Sequence, residues 1–276
     1  SAFLIFSGAS LSTLIQISAP LFFCTIFILF INFFKINSYK FFAYFLFFLI
    51  TILSLFGLTQ SLTGSHAASR MPQLYGLSFY TASLAFFLIR KNKIGIQDSF
   101  KISNPLLLFT GPIALYVKGI KHKIFIHRLR YFTPFIIIGF FYYQIIAAPL
   151  TETFFLINST DIVSSLLFAT IFELFVYANF CGLSLIVYGS FGLLGFRVPL
   201  NFRQPFSSKN LIEFWRGWHT TLSAVLKELF YKPIRSKHSS AVALVGVFLA
   251  SAMWHGTSFN FFIWGLFHAL MFVVTI

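Results

Sequence analysis

Four apolar stretches of membrane-crossing length constrain this chain more than any other feature: Leu14–Phe34, Phe41–Leu58, Tyr131–Ala148 and Ile162–Val187, with few or no charges inside. A helix rising 1.5 Å per residue needs about 20 apolar residues to cross a hydrocarbon core of about 30 Å. Leu74–Ile89, Ala241–His255 and Phe259–Ile276 are shorter or begin abruptly and read as further spans. Pro105–Val117 is too short to cross and is broken by Pro105 and by Gly111-Pro112. That suits a re-entrant segment whose open backbone is covered by protein. Composition excludes the aqueous alternative. The 276 residues are 58% hydrophobic and 9% charged, with 42 Phe against 6 Asp and Glu, where soluble domains carry about 25% charged residues. One aqueous core could not bury so much apolar surface, and each Å² left in water costs roughly 25 cal/mol. The fold class expected is all-α: a polytopic helical membrane protein with a re-entrant segment and an interfacial amphipathic helix. The lipid bilayer is its first partner.

A net charge of +14 could suggest nucleic acid, but its distribution points elsewhere. When the spans are alternated, Lys35 and Lys40, Arg90 to Lys101, Lys118 to Arg130 and Arg197 to Lys237 all fall on one side. The opposite loops, Thr59–Gln73 and Pro149–Asp161, hold only Arg70 among the basic residues. This is the positive-inside pattern, so the basic loops are expected in the cytoplasm and no nucleic-acid partner is expected. Most of these residues read as solvated charge; some are free to meet anionic lipid or a phosphorylated substrate. Cys24 and Cys181 lie in apolar stretches and read as buried thiols.

Residues 1–276 read as a single transmembrane core without repeat or linker, and as part of a longer chain. The first residue is Ser, and the last apolar block runs to the end without a flanking anchor. All four Trp lie in the last quarter. There, Leu211–Phe230 reads as one helix, because Leu211, Phe214, Trp215, Trp218, Leu222, Val225, Leu226 and Leu229 recur at helical spacing. Glu213, Arg216, Thr220, Ser223 and Lys227 form the other side. Asn210 followed by Glu213 predicts a capping box at its start. Too polar to span and carrying Trp, this helix should lie along the cytoplasmic interface.

Ionisable groups inside a membrane cost a few kcal/mol each and tend to be functional. His255, in Met253-Trp254-His255-Gly256, would sit roughly 22 Å along a helix entering from the cytoplasm. A neutral imidazole there can take a proton from a hydroxyl, its ordinary pKa being near 6.5. Gly256 should end the helix and leave room for a substrate. The alternative is a core histidine bonded to a neighbouring helix. His219 reads first as an interfacial histidine on the edge of the amphipathic helix, and His268 as a helix–helix contact. Glu173 marks either a protonated carboxyl bonded to another span or a polar cavity. His66, His122, His127 and His238 read as solvated loop residues. No metal site is expected, as neither His-Glu-x-x-His nor Cys-x-x-Cys occurs.

Phe214-Trp215-Arg216-Gly217-Trp218-His219-Thr220-Thr221-Leu222-Ser223, then Trp254-His255-Gly256, Asn260, Trp264-Gly265 and His268, resembles the membrane-bound O-acyltransferase family. The nearest likeness is to the bacterial branch of alginate O-acetyltransferases and teichoic acid D-alanyl transferases. Gly76 to Thr81, Phe109 to Ile113, Gly195-Phe196-Arg197, Asn201-Phe202 and Pro205-Phe206 agree with the family in order. The resemblance covers roughly Pro72 to the end. It implies that His255 is the general base on an acceptor hydroxyl, in a tunnel through the membrane. It implies that His219 is the second family histidine, on the side where an acyl thioester donor enters from the cytoplasm. Trp254, Asn260, Trp215, Trp218 and Arg216 would bind substrate. Three motifs depart from the family: Gly217 replaces an arginine, Lys227-Glu228 stands for Arg-Asp, and Asn179 to Leu185 lacks both acids.

The function expected from the resemblance is transfer of an acyl group, acetyl first, from acetyl-CoA or another acyl thioester to an extracytoplasmic hydroxyl such as that of a cell-surface polysaccharide. No bound cofactor is expected. An extracytoplasmic acyltransferase partner and a bacterial plasma (inner) membrane location go with this reading. D-alanyl transfer to teichoic acid is the alternative within the family. A transporter, a flippase or a scaffold without chemistry are the alternatives outside it, although a transporter should show repeat symmetry and paired broken helices.

Overall fold

A computed structural model describes residues 26, 39–49, 77–91, 107, 112–113, 115–120, 124–156, 161–256 and 258–275. The expected span Leu14–Phe34 except Ile26, the second half of Phe41–Leu58, and part of the re-entrant segment Pro105–Val117 lie outside these residues. The chain is an all-α polytopic membrane protein, in which a two-residue ladder is the one sheet among the described residues. In chain order the elements are α1 (Tyr39–Phe47), α2 (Leu77–Lys91), β1 (Lys118–Gly119), α3 (Phe125–Phe140) and α4 (Ala148–Leu156). They continue with α5 (Ile162–Leu193), β2 (Phe196–Arg197), α6 (Leu211–Gly217), α7 (Thr220–Leu226), α8 (Lys232–Arg235), α9 (Ser240–His255) and α10 (Phe259–Thr275).

Among the described residues two helices are long and apolar enough to cross a membrane: α5 with 32 residues, and the continuous run Phe125–Thr151, in which a π-helical turn at Phe141–Ala147 joins α3 to α4. They lie side by side, and glycine sets their distance. A Cβ on Gly182 would stand 2.7 Å from the Gly139 carbonyl oxygen, and one on Gly139 would stand 2.7 Å from that of Gly182. About two and then three turns further on, Gly189 faces Ile136 and the Phe132 carbonyl, and Gly192 faces the Phe132 ring. In lipid, where tails are as apolar as side chains, such close backbone approach is what holds helices together. Outward, Ile162, Val163, Leu166, Leu167, Ile137 and Ile145 are exposed apolar side chains, as a lipid-facing wall requires.

Asp161 begins α5. Its carboxylate accepts the Ser164 N–H at 2.9 Å while Ser164 Oγ answers the Asp161 N–H at 3.3 Å, a reciprocal capping box. These bonds hold the exposed carboxyl below its ordinary pKa. At the far end of α5, β2 pairs antiparallel with β1, Lys118 opposite Arg197. The Ile120 N–H donates to the Gly195 carbonyl at 2.7 Å, and Arg128 abuts Gly195. Lys118 of β1, Arg197 of β2 and Arg128 of the first turn of α3 thus gather at one end of the α3–α5 pair, with Asp161 at the other.

The α2 helix, read as a marginal span, is the inner helix of the molecule: every residue from Tyr80 to Leu88 is buried. It packs against α1, and Phe47, Phe230 and Trp254 continue the same core. The predicted single helix Leu211–Phe230 is instead broken at Trp218–His219, and a π-helical turn follows at Lys227–Tyr231. Its apolar face is as read, with Leu222, Val225, Leu226 and Leu229 buried, but that face packs on α2 and α9. Half of the predicted capping box forms. Asn210 Oδ1 accepts the Glu213 N–H at 2.9 Å, whereas the Glu213 carboxylate reaches past Asn210 to the Lys209 N–H at 3.1 Å.

Gly182→Ala is expected to destabilise the protein by about 1–3 kcal/mol, because its new methyl group meets a backbone oxygen that no rotamer can move. The check is the temperature at which the detergent-solubilised protein loses its monodisperse chromatographic peak. It should fall for Gly182→Ala and stay put for Gly119→Ala, where nothing lies within 4 Å of the added Cβ.

Candidate active site

The break between α6 and α7 builds the site. A helix that stops leaves backbone groups without partners; here the preceding segment supplies them. The Arg203 N–H donates to the Gly217 carbonyl at 2.9 Å, and the Thr220 N–H donates to the Asn201 carbonyl at 2.8 Å. Thr220 Oγ1 donates to the Leu200 carbonyl at 2.6 Å. Gly217 is buried at this contact, where a Cβ would stand 2.8 Å from the Arg203 carbonyl oxygen. Gly217, where the resemblance led to an arginine being expected, therefore fills a position with no room for a side chain. His219 turns the chain in the left-handed region, at φ 41° and ψ 54°. For an L-residue that conformation costs about 1–2 kcal/mol.

His219 is buried, not interfacial as its sequence position suggested, because the break swings it off the helix edge into the protein. The rings of Phe79, Phe180, Phe202 and Trp254 surround it, with centroids 4.8 to 6.4 Å away. Its Nδ1 lies 3.0 Å from Asn201 Oδ1, while Nε2 is buried and has no hydrogen-bond partner among the described residues. Burial drives its pKa down to about 3, and the nearby His255 ring adds to the shift, so the imidazole is neutral.

His255 closes α9, and Gly256 is the cap, as the sequence indicated. The space beside Gly256 holds the Phe261 ring, 2.9 Å from where a Cβ would be, so it is filled and not open to a substrate. The His255 ring touches Trp254, Phe261 and Trp264 at centroid distances of 5.0, 5.9 and 5.8 Å. It has no hydrogen-bond partner among the described residues.

Both histidines line one cavity of about 490 Å³. Trp215, Trp218 and Trp264 line it too, and the exposed Arg216 and Lys227 line it where it meets solvent. Trp254 stands between the two imidazoles, 6.2 Å from one and 5.0 Å from the other. Asn260 is exposed and does not line the cavity. His268 packs between helices, its Nδ1–H donating to the Trp264 carbonyl at 2.9 Å and its ring against Trp215 and Phe248. Glu173 is exposed on the outer face of α5, away from the cavity and without a partner among the described residues. Glu228 pairs with Lys232 at 2.7 Å, leaving Lys227 to the cavity. Among the described residues no three His, Cys, Asp or Glu side chains come together to hold a metal.

Asn201 and Thr221 belong to the site although the sequence reading, which met both inside motifs of the resemblance, gave neither a role there. The signal available was the motif Asn201-Phe202, and the partners of Asn201 lie 17 to 20 residues away.

Relatives of this chain carry names from one chemistry. A peptidoglycan O-acetyltransferase of Helicobacter pylori is 35% identical over 99 residues, covering 34% of this chain and 19% of that protein. A teichoic acid D-alanyltransferase of Bacillus subtilis is 30% identical over 152 residues, 49% of this chain and 38% of its own length. The probable alginate O-acetylase AlgI of Azotobacter vinelandii is 30% identical over 125 residues, 44% of this chain and 25% of the relative. The matches thus span well under half of these relatives' lengths. Residues 105–276, more than half of the chain, match the model of the MBOAT, membrane-bound O-acyltransferase family, and the chain belongs to that family.

Proposed function

We propose that this chain forms the membrane core of an O-acyltransferase. It moves an acyl group, acetyl in the first instance, from a cytoplasmic thioester such as acetyl-CoA to a hydroxyl of an extracytoplasmic acceptor, a cell-surface polysaccharide. The observation that carries this is the single cavity shared by His219 and His255, with two cations at its opening and indole walls within. Arg216 and Lys227 suit the phosphates of a donor, since exposed cations at a cleft raise the local concentration of anions. The apolar walls keep water from the thioester. Names of relatives that acetylate peptidoglycan and alginate support the acceptor class. The plasma membrane of a bacterium, with basic loops inside, is the location that goes with it, and an extracytoplasmic acyltransferase is the partner that would complete delivery.

In this mechanism His255 takes the proton of the acceptor hydroxyl as the oxygen attacks the thioester carbonyl. The new C–O bond forms, the C–S bond breaks, and the imidazolium returns its proton to the departing thiolate. Trp254 and Trp264 fix the plane of the His255 ring. Trp215 and Trp218 flank the donor's path, and Arg216 holds its phosphate. Asn260, outside the cavity, is left with the acceptor side. His219 serves the donor. Transfer of D-alanine is the second reading, favoured by the length of the Bacillus subtilis match; loss of D-alanyl rather than acetyl esters from the cell surface would select it.

A positioned general base contributes about 10²- to 10⁴-fold. His255→Ala in the full-length protein, at membrane levels matched to wild type, is therefore expected to reduce surface esters to background. Unchanged esters would overturn the assignment of His255.

His219 also sets a pH dependence. Its folded pKa of about 3 lies below the ordinary 6.5, so its contribution to stability is complete above pH 6.5 and is lost as pH falls toward 3. The loss is at most about 1.4 kcal/mol per pH unit. Thermal midpoints of the detergent-solubilised protein between pH 7 and pH 4 should decline, and His219→Phe should flatten the decline. Parallel slopes for wild type and variant would remove His219 as the cause.

A further inference from the structure

We propose that Asn201 and Thr221 are positioning residues that hold His219 as its Nδ1–H tautomer and so keep the Nε2 lone pair free for a group entering the cavity. The polarity of this network starts from a backbone amide, which can only donate. The Ile113 N–H donates to Thr221 Oγ1 at 3.1 Å, and the one hydroxyl proton of Thr221 goes to Asn201 Oδ1 at 2.8 Å. The Thr221 N–H, 3.5 Å from the same atom, also points a donor at it. The atom of Asn201 that meets these donors is therefore its oxygen, and the amide nitrogen turns to Ser184 Oγ at 3.3 Å. With the oxygen so fixed, His219 Nδ1, 3.0 Å away, must carry the proton. A neutral imidazole has one N–H, so Nε2 bears the lone pair.

Asn201, Thr221 and His219 are each nine-tenths or more buried, and water does not reach Nε2. A buried acceptor without a partner costs about 1–3 kcal/mol, and the backbone at His219 is strained besides. Both costs fall on a residue that lines the cavity. Once a bound molecule displaces the rings that cover Nε2, the lone pair can accept from its N–H, O–H or S–H group, and it donates to none. On the reading of the chain as an acyltransferase, that molecule is the thioester donor, whose carrier arm presents amide N–H groups. A single tautomer presents the acceptor to every donor that enters.

The test is ¹⁵N NMR of the histidine-labelled full-length protein, with the His219 signals assigned by their absence in His219→Gln. Nδ1 should carry the directly bonded proton and Nε2 none; a protonated Nε2, or an even mixture of tautomers, would overturn the proposal. Turnover is read alongside. Asn201→Leu should lose the single tautomer and lower kcat about 10- to 100-fold with a smaller change in KM. Asn201→Asp, which keeps an acceptor facing Nδ1, should retain the tautomer, restore most of kcat and raise the acidic limb of the pH profile. Should Asn201→Leu fail to insert, Thr221→Val takes its place, and the wild-type spectrum decides the tautomer in either case. Correct spectra with turnover indifferent to Asn201 would overturn the positioning role. Correct spectra in a protein that transfers no acyl group would uphold the tautomer and refute the acyltransferase reading instead.

Discussion

The hydrogen bonds between residues 200–203 and 217–220 are what the rest of the site depends on. Inside a membrane protein an interrupted helix is tolerable only if other protein groups take up the backbone it releases. Here the Asn201 and Leu200 carbonyls and the Arg203 N–H do so. That satisfies the interruption and at the same time places Asn201 against His219. These bonds take up the Gly217 carbonyl and the Thr220 N–H on either side of the left-handed turn at His219. One short extended segment thus fixes the backbone of the histidine, its depth and the partner of its ring.

Around this staple the packing is almost wholly aromatic and glycine-based. Phe79, Phe180, Phe202 and Trp254 enclose His219, and Trp215, Trp264 and Phe261 continue the wall toward His255. Rings give area and rigidity with few rotatable bonds, so two imidazoles are held at fixed orientation with little polar help. The abundance of Phe, which at first marks only a membrane protein, is also the material of the pocket.

What the sequence makes legible follows from what it encodes locally. The apolar blocks Tyr131–Ala148 and Ile162–Val187 and the end of α9 at His255-Gly256 are properties of adjacent residues, and the helices Phe125–Thr151, Ile162–Leu193 and Ser240–His255 follow them. The break at Trp218–His219 does not show, because the apolar period runs through it unbroken; the force that interrupts the helix comes from Asn201 and Arg203, some 14 to 20 residues earlier. The depth of α2 is hidden for a related reason. A helix buried among apolar helices and one facing lipid carry the same side chains. The role of Gly217 looks like the loss of an arginine until Arg203 is seen against it. For Asn201, nothing short of the folded chain brings Thr221, Ser184 and His219 together.

The crossing of α3 and α5 at Gly139 and Gly182 bears on how the protein moves. With each α-carbon against the other helix's carbonyl, neither helix can slide or roll without driving backbone into backbone. The pair is a strut, braced at one end by the β1–β2 ladder. It moves as one body or not at all. The cavity is lined by α6, α7, the π-helical turn after it, α9 and α10, all outside this strut. There α9 and α10 are themselves in close contact, a Cβ on Gly265 standing 2.7 Å from the Ala252 Cβ and 2.9 Å from the Phe248 carbonyl oxygen, so the give falls to the side chains that line the opening.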